Sequence, residues 1–426
     1  MQIGRRQLFA SALGAAALAP LVKASAASAQ TTTPPPSPDE RLAARASEVR
    51  RRLSYDGRAF SGPAWDFLLS QGRAANFFML GEEHGIAENA KMAAALFRAL
   101  VPSGYSRVAI ETSPQSALEL DWVARGGLPG LRTYLSDQAN TVAFFGMREE
   151  AEWLAAARAA VPGSQPVLWG LDYEIGADRR LIANLKAERQ PPAAQRALAA
   201  LEAASDAAWG RYAQTHDLSQ LFSFSGDPAL VSAVRAAWPR HSASAAWTID
   251  TLQETLEINR MWVERRAWES NARRAALMRR NLLRHWHSAG ARKPKLFMKF
   301  GASHMMRGRS STEVFDLGTL VPELAEIEGG RAFQLLVLQG ATSQIAQIDP
   351  ATLTYRPQSG AESEYVRGLE PLYRHAYPDA FTLFDTHPLR PLMGFSRQPP
   401  SRELQRTIHG FDAILIMSGS TPSASL

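Results

Sequence analysis

The chain has 426 residues, 46% of them hydrophobic, and no cysteine, which excludes disulfides, thiolate metal sites and a cysteine nucleophile. Its formal charge is +6; setting aside Arg5, Arg6 and Lys23 of the leader leaves +3, too little to argue for a nucleic-acid partner.

At the N-terminus, Arg5-Arg6 precede an uncharged, Ala-rich run over 10–22, and Ala27-Ser28-Ala29 offers small residues for cleavage before Gln30. Residues 1–29 therefore read as a twin-arginine signal peptide, which makes the twin-arginine export machinery an expected partner and the periplasm or the exterior the expected location. The apolar run is too short for a stable membrane anchor. Residues 30–50, with Pro34-Pro35-Pro36 and Pro38, read as a proline-rich linker and lead-in, and 51–426 as one α/β domain.

Short apolar runs at 77–80, 108–110, 167–169, 296–298, 333–338 and 413–417 are expected as buried strands. Between the first three lie helical patterns at 87–100, 114–125 and 149–160. Strand alternating with helix predicts a mostly parallel central sheet flanked by helices. From about 178 to 290 the pattern is almost wholly helical, an all-helical insertion that ends in one long helix or two collinear ones over 249–287. Six of the ten tryptophans (Trp209, Trp238, Trp247, Trp262, Trp268 and Trp286) fall there, so the insertion is expected to cover a cleft, with helix-to-helix packing as the alternative role for these rings.

In a parallel sheet, ligands bind beyond the carboxyl ends of the strands, so the polar residues that follow each run carry the information. They are Glu82, Glu83 and His84 after Leu80, then Glu111 after Ile110, then Asp172 and Glu174 after Leu171, and Ser303-His304 after Phe300. A buried carboxylate without a partner is costly, and histidines among carboxylates both supply partners and shift each other's proton affinity. Two chemistries are open. In one, His84 or His304 takes a proton from water that attacks an ester or amide carbonyl; in the other, Glu82, His84, Glu111 and His304 hold a divalent metal that activates the water. A satisfied buried network is the alternative for each residue, more so for Asp172 and Glu174. No GxSxG elbow, HExxH helix, Walker loop or GxGxxG fingerprint is present. His285 and His287 are expected at the surface, and Met305-Met306 in packing rather than as haem ligands.

The segments Leu80-Gly81-Glu82-Glu83-His84-Gly85, Val108-Ala109-Ile110-Glu111, Trp169-Gly170-Leu171-Asp172, the stretch 274–281, Gly301-Ala302-Ser303-His304 and Phe411-Asp412-Ala413-Ile414-Leu415 follow in an order that resembles the erythromycin-esterase-like proteins. That superfamily also holds the ChaN-type haem-uptake proteins and the TIKI metalloproteases. The resemblance implies an α/β core with a helical subdomain over the cleft and His84 as general base. It further implies that Glu82 and Glu111 orient water, that His304 completes the site, and that Arg274 faces the pocket to grip a carbonyl or an oxyanion. Asp172 and Glu83 are expected with Arg274 on the substrate side, although alternation along the loop turns Glu83 away from Glu82 and His84. Only Glu83 separates Glu82 from His84, where erythromycin esterases place two residues, and this spacing is closer to ChaN and TIKI. The second histidine of the ChaN loop is missing, with Glu88 and Asn89 nearby instead. The expected function is an exported hydrolase of an ester, lactone or amide in a small-molecule substrate. No cofactor is required, though a divalent metal has a place. A haem- or iron-binding uptake protein and a metal-dependent peptidase are the alternatives.

Overall fold

A computed structural model describes residues 38–137, 140–361, 363–394 and 400–426; the leader lies outside the described residues. The described residues form eleven strands: β1 (Arg50–Tyr55), β2 (Phe60–Ser61), β3 (Phe77–Glu82), β4 (Tyr105–Ile110), β5 (Leu168–Gly170), β6 (Lys295–Gly301), β7 (Ala332–Gln339), β8 (Gln344–Asp349), β9 (Thr354–Ser359), β10 (Phe381–Asp385) and β11 (Ala413–Met417). Nine form one sheet in the order β2-β1-β10-β11-β7-β3-β6-β4-β5, and β8 pairs with β9 in a separate hairpin.

From β11 to β5 every neighbouring pair is parallel, while β10, β1 and β2 extend one edge in antiparallel pairing. The fold is thus α/β, with a mostly parallel central sheet flanked by helices. The parallel strands are apolar along nearly their whole length because helices cover both faces. On one face Phe78 stacks on Phe297 with ring centres 5.1 Å apart, backed by Phe97 and Trp153. On the other, Phe77, Met79, Met298, Phe300 and Ile414 meet Trp286, Leu317 and Phe411. Successive residues of β3 therefore serve opposite cores, as the two-residue period of a strand requires.

The helices expected at 87–100, 114–125 and 149–160 are Ala87–Leu100, Pro114–Val123 and Arg148–Ala160. Three features differ from expectation. The lead-in is not all linker: Pro38–Val49 is helical, its Leu42 and Ala46 are buried, and Ser37–Leu426 is a single compact unit. The stretch 249–287 forms neither one helix nor two collinear ones. Ala243–Val263 and Ala267–Ser288 fold back on each other, because Arg265 adopts a left-handed backbone (φ 61°) and reverses the chain. Ser270 Oγ then donates to Ile258 O at 2.8 Å, and Arg273 and Arg280 both reach Glu254. Finally, β1, β2, β10 and the β8–β9 hairpin are additional strands.

Between β5 and β6 the described chain forms six α-helices; the first five share an apolar cluster of their own, built from Leu181, Leu198, Val231, Trp238, Ile249 and Leu256, whereas Ala267–Ser288 packs on the sheet core through Met278, Leu282 and Trp286. Trp238 and Trp286 are core residues, whereas Trp262 and Trp268 are more than half exposed at the tip of the helical hairpin. None of the described helices is long and apolar enough to cross a membrane.

Candidate active site

Because β3, β4, β5 and β6 run parallel, their carboxyl ends share one edge of the sheet, and each ends in or just before a polar residue. Glu82 closes β3, Glu111 follows β4, Asp172 lies two residues beyond β5, and His304 sits in the short helix Ala302–Met305 after β6. The structure brings these four together with His84 and Arg274.

Glu82 is buried and accepts three donors: Lys299 Nζ at 2.6 Å and His84 Nδ1 at 2.9 Å on Oε1, and Asn89 Nδ2 on Oε2. Since Nδ1–H of His84 is committed to Glu82, a neutral His84 keeps its lone pair on Nε2, which stands 3.5 Å from Glu111 Oε2. The His84 ring is about a quarter exposed and stacks on Phe144, with ring centres 3.8 Å apart. Phe144 holds a left-handed backbone (φ 67°), and its N–H donates to Tyr355 Oη at 2.8 Å. Such backbone strain in a bulky residue is sustained only where the surroundings enforce it.

Glu111 is the hub. Its Oε1 accepts from Arg274 Nη2 at 2.7 Å, its Oε2 from the Gly301 N–H at 2.6 Å, and His304 Nε2 lies 3.4 Å from Oε1. Arg274 is held by Asp172 as well, with Nε at 3.0 Å from Oδ1 and Nη2 also on Oδ2, so its Nη1 alone makes no hydrogen bond to a described residue. His304 Nδ1 donates to Asp316 Oδ2 at 2.7 Å. Asp316 in turn caps the helix Leu317–Ile327.

Burial works against charge in His304, His84 and Glu111, and their partners overcome it. Despite burial and the repulsion of Arg274, Glu111 and Asp316 lift His304 to about 10. Burial also opposes charging His84, but the Glu82 hydrogen bond and the Glu111 charge raise it above its ordinary value. Glu111 pays the desolvation of burial, yet His304, His84 and Arg274 hold it well below the usual carboxylate range.

Two expected contributors have other partners. Glu83 accepts from Ser363 Oγ and from the Gln339 N–H at 3.4 Å, turned from Glu82 as alternation requires, and borders the cavity from that side. Glu174 accepts from Thr112 Oγ1 and the Ser113 N–H and braces the loop after β4. His285 corrects the surface expectation: it stacks on Trp169 at 5.1 Å, bonds Gly170 O, and burial lowers it to about 4. His287, two positions on, is exposed as expected. Met305 and Met306 are fully buried core residues.

Residues that sequence reasoning missed include Lys299, Glu150, Asp316, Phe144 and Tyr173. Lys299 lies mid-strand in β6, buried, and joins Glu82 to Glu150 Oε1 at 2.7 Å. A lysine inside an otherwise apolar run is the signal that could have found it.

Above this polar floor opens a cavity of about 1070 Å³. Its walls come from the loop through Val142, Phe144 and Met147, from Trp209, Leu221 and Phe224 of the helical section, and from Ile345 and Tyr355 of the β8–β9 hairpin. The helical section thus contributes a wall, though Trp209 is its one tryptophan bordering the cavity. Two glycines allow the close approaches. A Cβ on Gly85 (φ 89°) would lie 2.2 Å from Ala346 O, and one on Gly301 would lie 2.9 Å from His84 Nε2. Gly301→Ala is therefore expected to displace the His84 ring while the urea midpoint barely moves. The His84 imidazole signals in an NMR spectrum beside a denaturation curve check both halves.

The donors that a divalent metal would use are already paired within the protein. Glu82 already faces an ammonium, an imidazole and an amide, Glu111 faces a guanidinium and a backbone N–H, and His304 is bracketed by two carboxylates that keep it protonated. Among the described residues no group of three or more His, Asp and Glu is disposed around a metal position.

No family model and no curated protein matches the sequence. Solved structures do share its fold. They include a Bacillus cereus protein at 13% identity, spanning 92% of this chain and 100% of that one with a TM-score of 0.56. A succinoglycan biosynthesis protein matches at 12% identity, 91% and 99% coverage and a TM-score of 0.52. A mutant of the erythromycin esterase EreC in its open conformation matches at 15% identity, 88% and 98% coverage and a TM-score of 0.56. The chain therefore has an erythromycin esterase-like fold.

Proposed function

We propose that the protein is a hydrolase that cleaves an ester, lactone or amide of a small-molecule substrate by water attack, with His84 as general base and without a bound metal. The observation that carries this reading is the His84 ring itself. Its Nδ1 is fixed on a buried carboxylate, and its Nε2 stands at the cavity floor beside Glu111, which Arg274 grips by its other oxygen. This is the orienting-carboxylate, base and electrophile arrangement that acyl transfer to water needs.

Water on the floor donates one hydrogen to His84 Nε2 and is oriented by Glu111. Its oxygen attacks the carbonyl carbon as the proton passes to Nε2, and the carbonyl π pair moves to oxygen. Arg274 Nη1, the guanidinium nitrogen not turned to a carboxylate, faces that oxyanion. Collapse re-forms C=O and breaks the bond to the leaving group, which takes the proton back from His84. His304 carries a proton on both nitrogens at neutral pH, so it has no lone pair to serve as base; it holds Glu111 in place. Asp172 fixes Arg274.

The haem alternative gains no support, since both nitrogens of His84 face carboxylates and the methionine pair is core. Export through the twin-arginine route belongs to the same proposal and rests on Arg5-Arg6 and the Ala-rich run that follows. The test is release of acid from a panel of esters, lactones and amides by the mature protein, before and after dialysis against EDTA. Unchanged hydrolysis after dialysis is expected; loss of activity that zinc restores would overturn the metal-free mechanism, and no hydrolysis of any member would overturn the hydrolase reading.

A further inference from the structure

Tyr173 directly follows Asp172 beyond β5 and borders the cavity. The guanidinium carbon of Arg274 lies over its ring, 4.9 Å from the centre, so the ring is clamped to the residue assigned the oxyanion. The ionic groups of the floor are all committed: Glu82, Glu111, Asp172, His304 and Lys299 each have partners within the protein. The Tyr173 hydroxyl is different: the residue is half-buried, and its hydroxyl neither donates nor accepts a hydrogen bond among the described residues and is not sealed from solvent. On a residue that borders the cavity, that leaves the hydroxyl free to meet a bound molecule there.

We infer that Tyr173 is a further catalytic residue whose hydroxyl donates a hydrogen bond to the substrate's carbonyl oxygen, completing with Arg274 Nη1 the site that holds the oxyanion. The inference rests on the hydrolase reading and deepens it. Two donors of different kind then meet one oxygen, a charged guanidinium and a neutral phenol, and each bond strengthens as negative charge develops there. No proton is transferred: the phenol keeps its hydrogen through attack and collapse, and the leaving group is protonated by His84. Burial, reinforced by the charges of Asp172 and Glu111 against that of Arg274, keeps the hydroxyl protonated across the neutral range, which suits a donor and not an acid.

The test is Tyr173→Phe, which keeps the ring under Arg274 and removes only the hydroxyl. With p-nitrophenyl butyrate as probe, kcat is expected to fall about 10²-fold with KM unchanged. Binding of p-nitrophenyl ethylphosphonate, whose anionic oxygens mimic the tetrahedral state, is expected to weaken by a similar factor in calorimetry, with butyrate affinity unaltered. Equal phosphonate affinity in the two proteins overturns the inference, as does a Tyr173→Phe enzyme that changes in KM alone. The phosphonate measurement needs no turnover. Weaker binding in the variant supports the tyrosine's role even where the native protein hydrolyses no ester, so the two readings can fail separately.

Discussion

Replacing His84 with alanine is expected to lower kcat about 10²- to 10⁴-fold, the range a positioned general base contributes, with little change in KM. The His304→Gln loss is expected to be smaller, about 10- to 100-fold, because His304 acts through Glu111 and touches no reacting atom. The two histidines also separate in their pH dependence. A base must be unprotonated, so the rate of the native enzyme rises with pH through the His84 value, which lies above the ordinary 6.5. The imidazolium of His304 persists to about 10, and its loss there lets the Glu111 hub relax, giving a falling limb. In His304→Gln the rising limb stays and the falling limb disappears. A falling limb that survives the substitution would show that another group titrates there.

The same two shifts make a statement about stability. Both histidines have folded values above the unfolded one, so folding favours their protonated forms. The stabilisation is fully present below about 6.5, the unfolded value, and declines as pH rises toward the folded values, ending near 10 for His304. On the proposed mechanism, activity is expected to rise with pH above about 6.5 while this part of the stability falls. The form of His84 that would act as base is the one the fold stabilises less.

How much of this was legible in the sequence depends on whether a residue's environment is written into its neighbours. Strands β3, β4, β6, β7 and β11 are largely buried on both faces, so they stand out as apolar runs even where a polar residue such as Lys299 of β6 or Gln334 of β7 interrupts them. Strand β1, next to the short edge strand β2, reads Arg50-Arg51-Arg52-Leu53-Ser54-Tyr55 and buries Leu53 alone, which no periodic pattern reveals. The β8–β9 hairpin walls the cavity, yet β9 is mostly exposed and contains Pro357. In the site, the strand-end rule gathered Glu82, His84, Glu111, Asp172 and His304 because topology alone brings them to one edge. It could not supply Asp316 or Glu150, which reach the site from helix starts where an acid usually serves as a cap or dipole partner. Nor could it order the two histidines, since their difference lies in a carboxylate on Nδ1 that is shared with a lysine in one case and unshared in the other.

That lysine carries the second large effect. Lys299→Met is expected to destabilise the protein by about 3–5 kcal/mol at pH 7.5, because it leaves Glu82 and Glu150 buried without their shared cation. Burial already pushes the Glu150 carboxyl up, with the Glu82 charge adding to it and Lys299 restraining it. Removing Lys299 releases that restraint, so both carboxyls move above their unfolded values. A carboxyl raised in the folded state costs stability above the unfolded value, and the cost grows with pH until the folded value is passed. The deficit in Lys299→Met should accordingly shrink when urea unfolding is repeated at pH 5. Adding Glu150→Gln removes one of the stranded charges, and the double variant is expected to recover much of the loss, a strongly non-additive pair. Hydrolysis should not recover with it, because Glu82 still lacks the ammonium that fixes the carboxylate on which His84 Nδ1 rests. A Lys299→Met protein with an unchanged urea midpoint would mean that water replaces the ammonium between the two glutamates, and the buried ion triad would then have no part in holding His84.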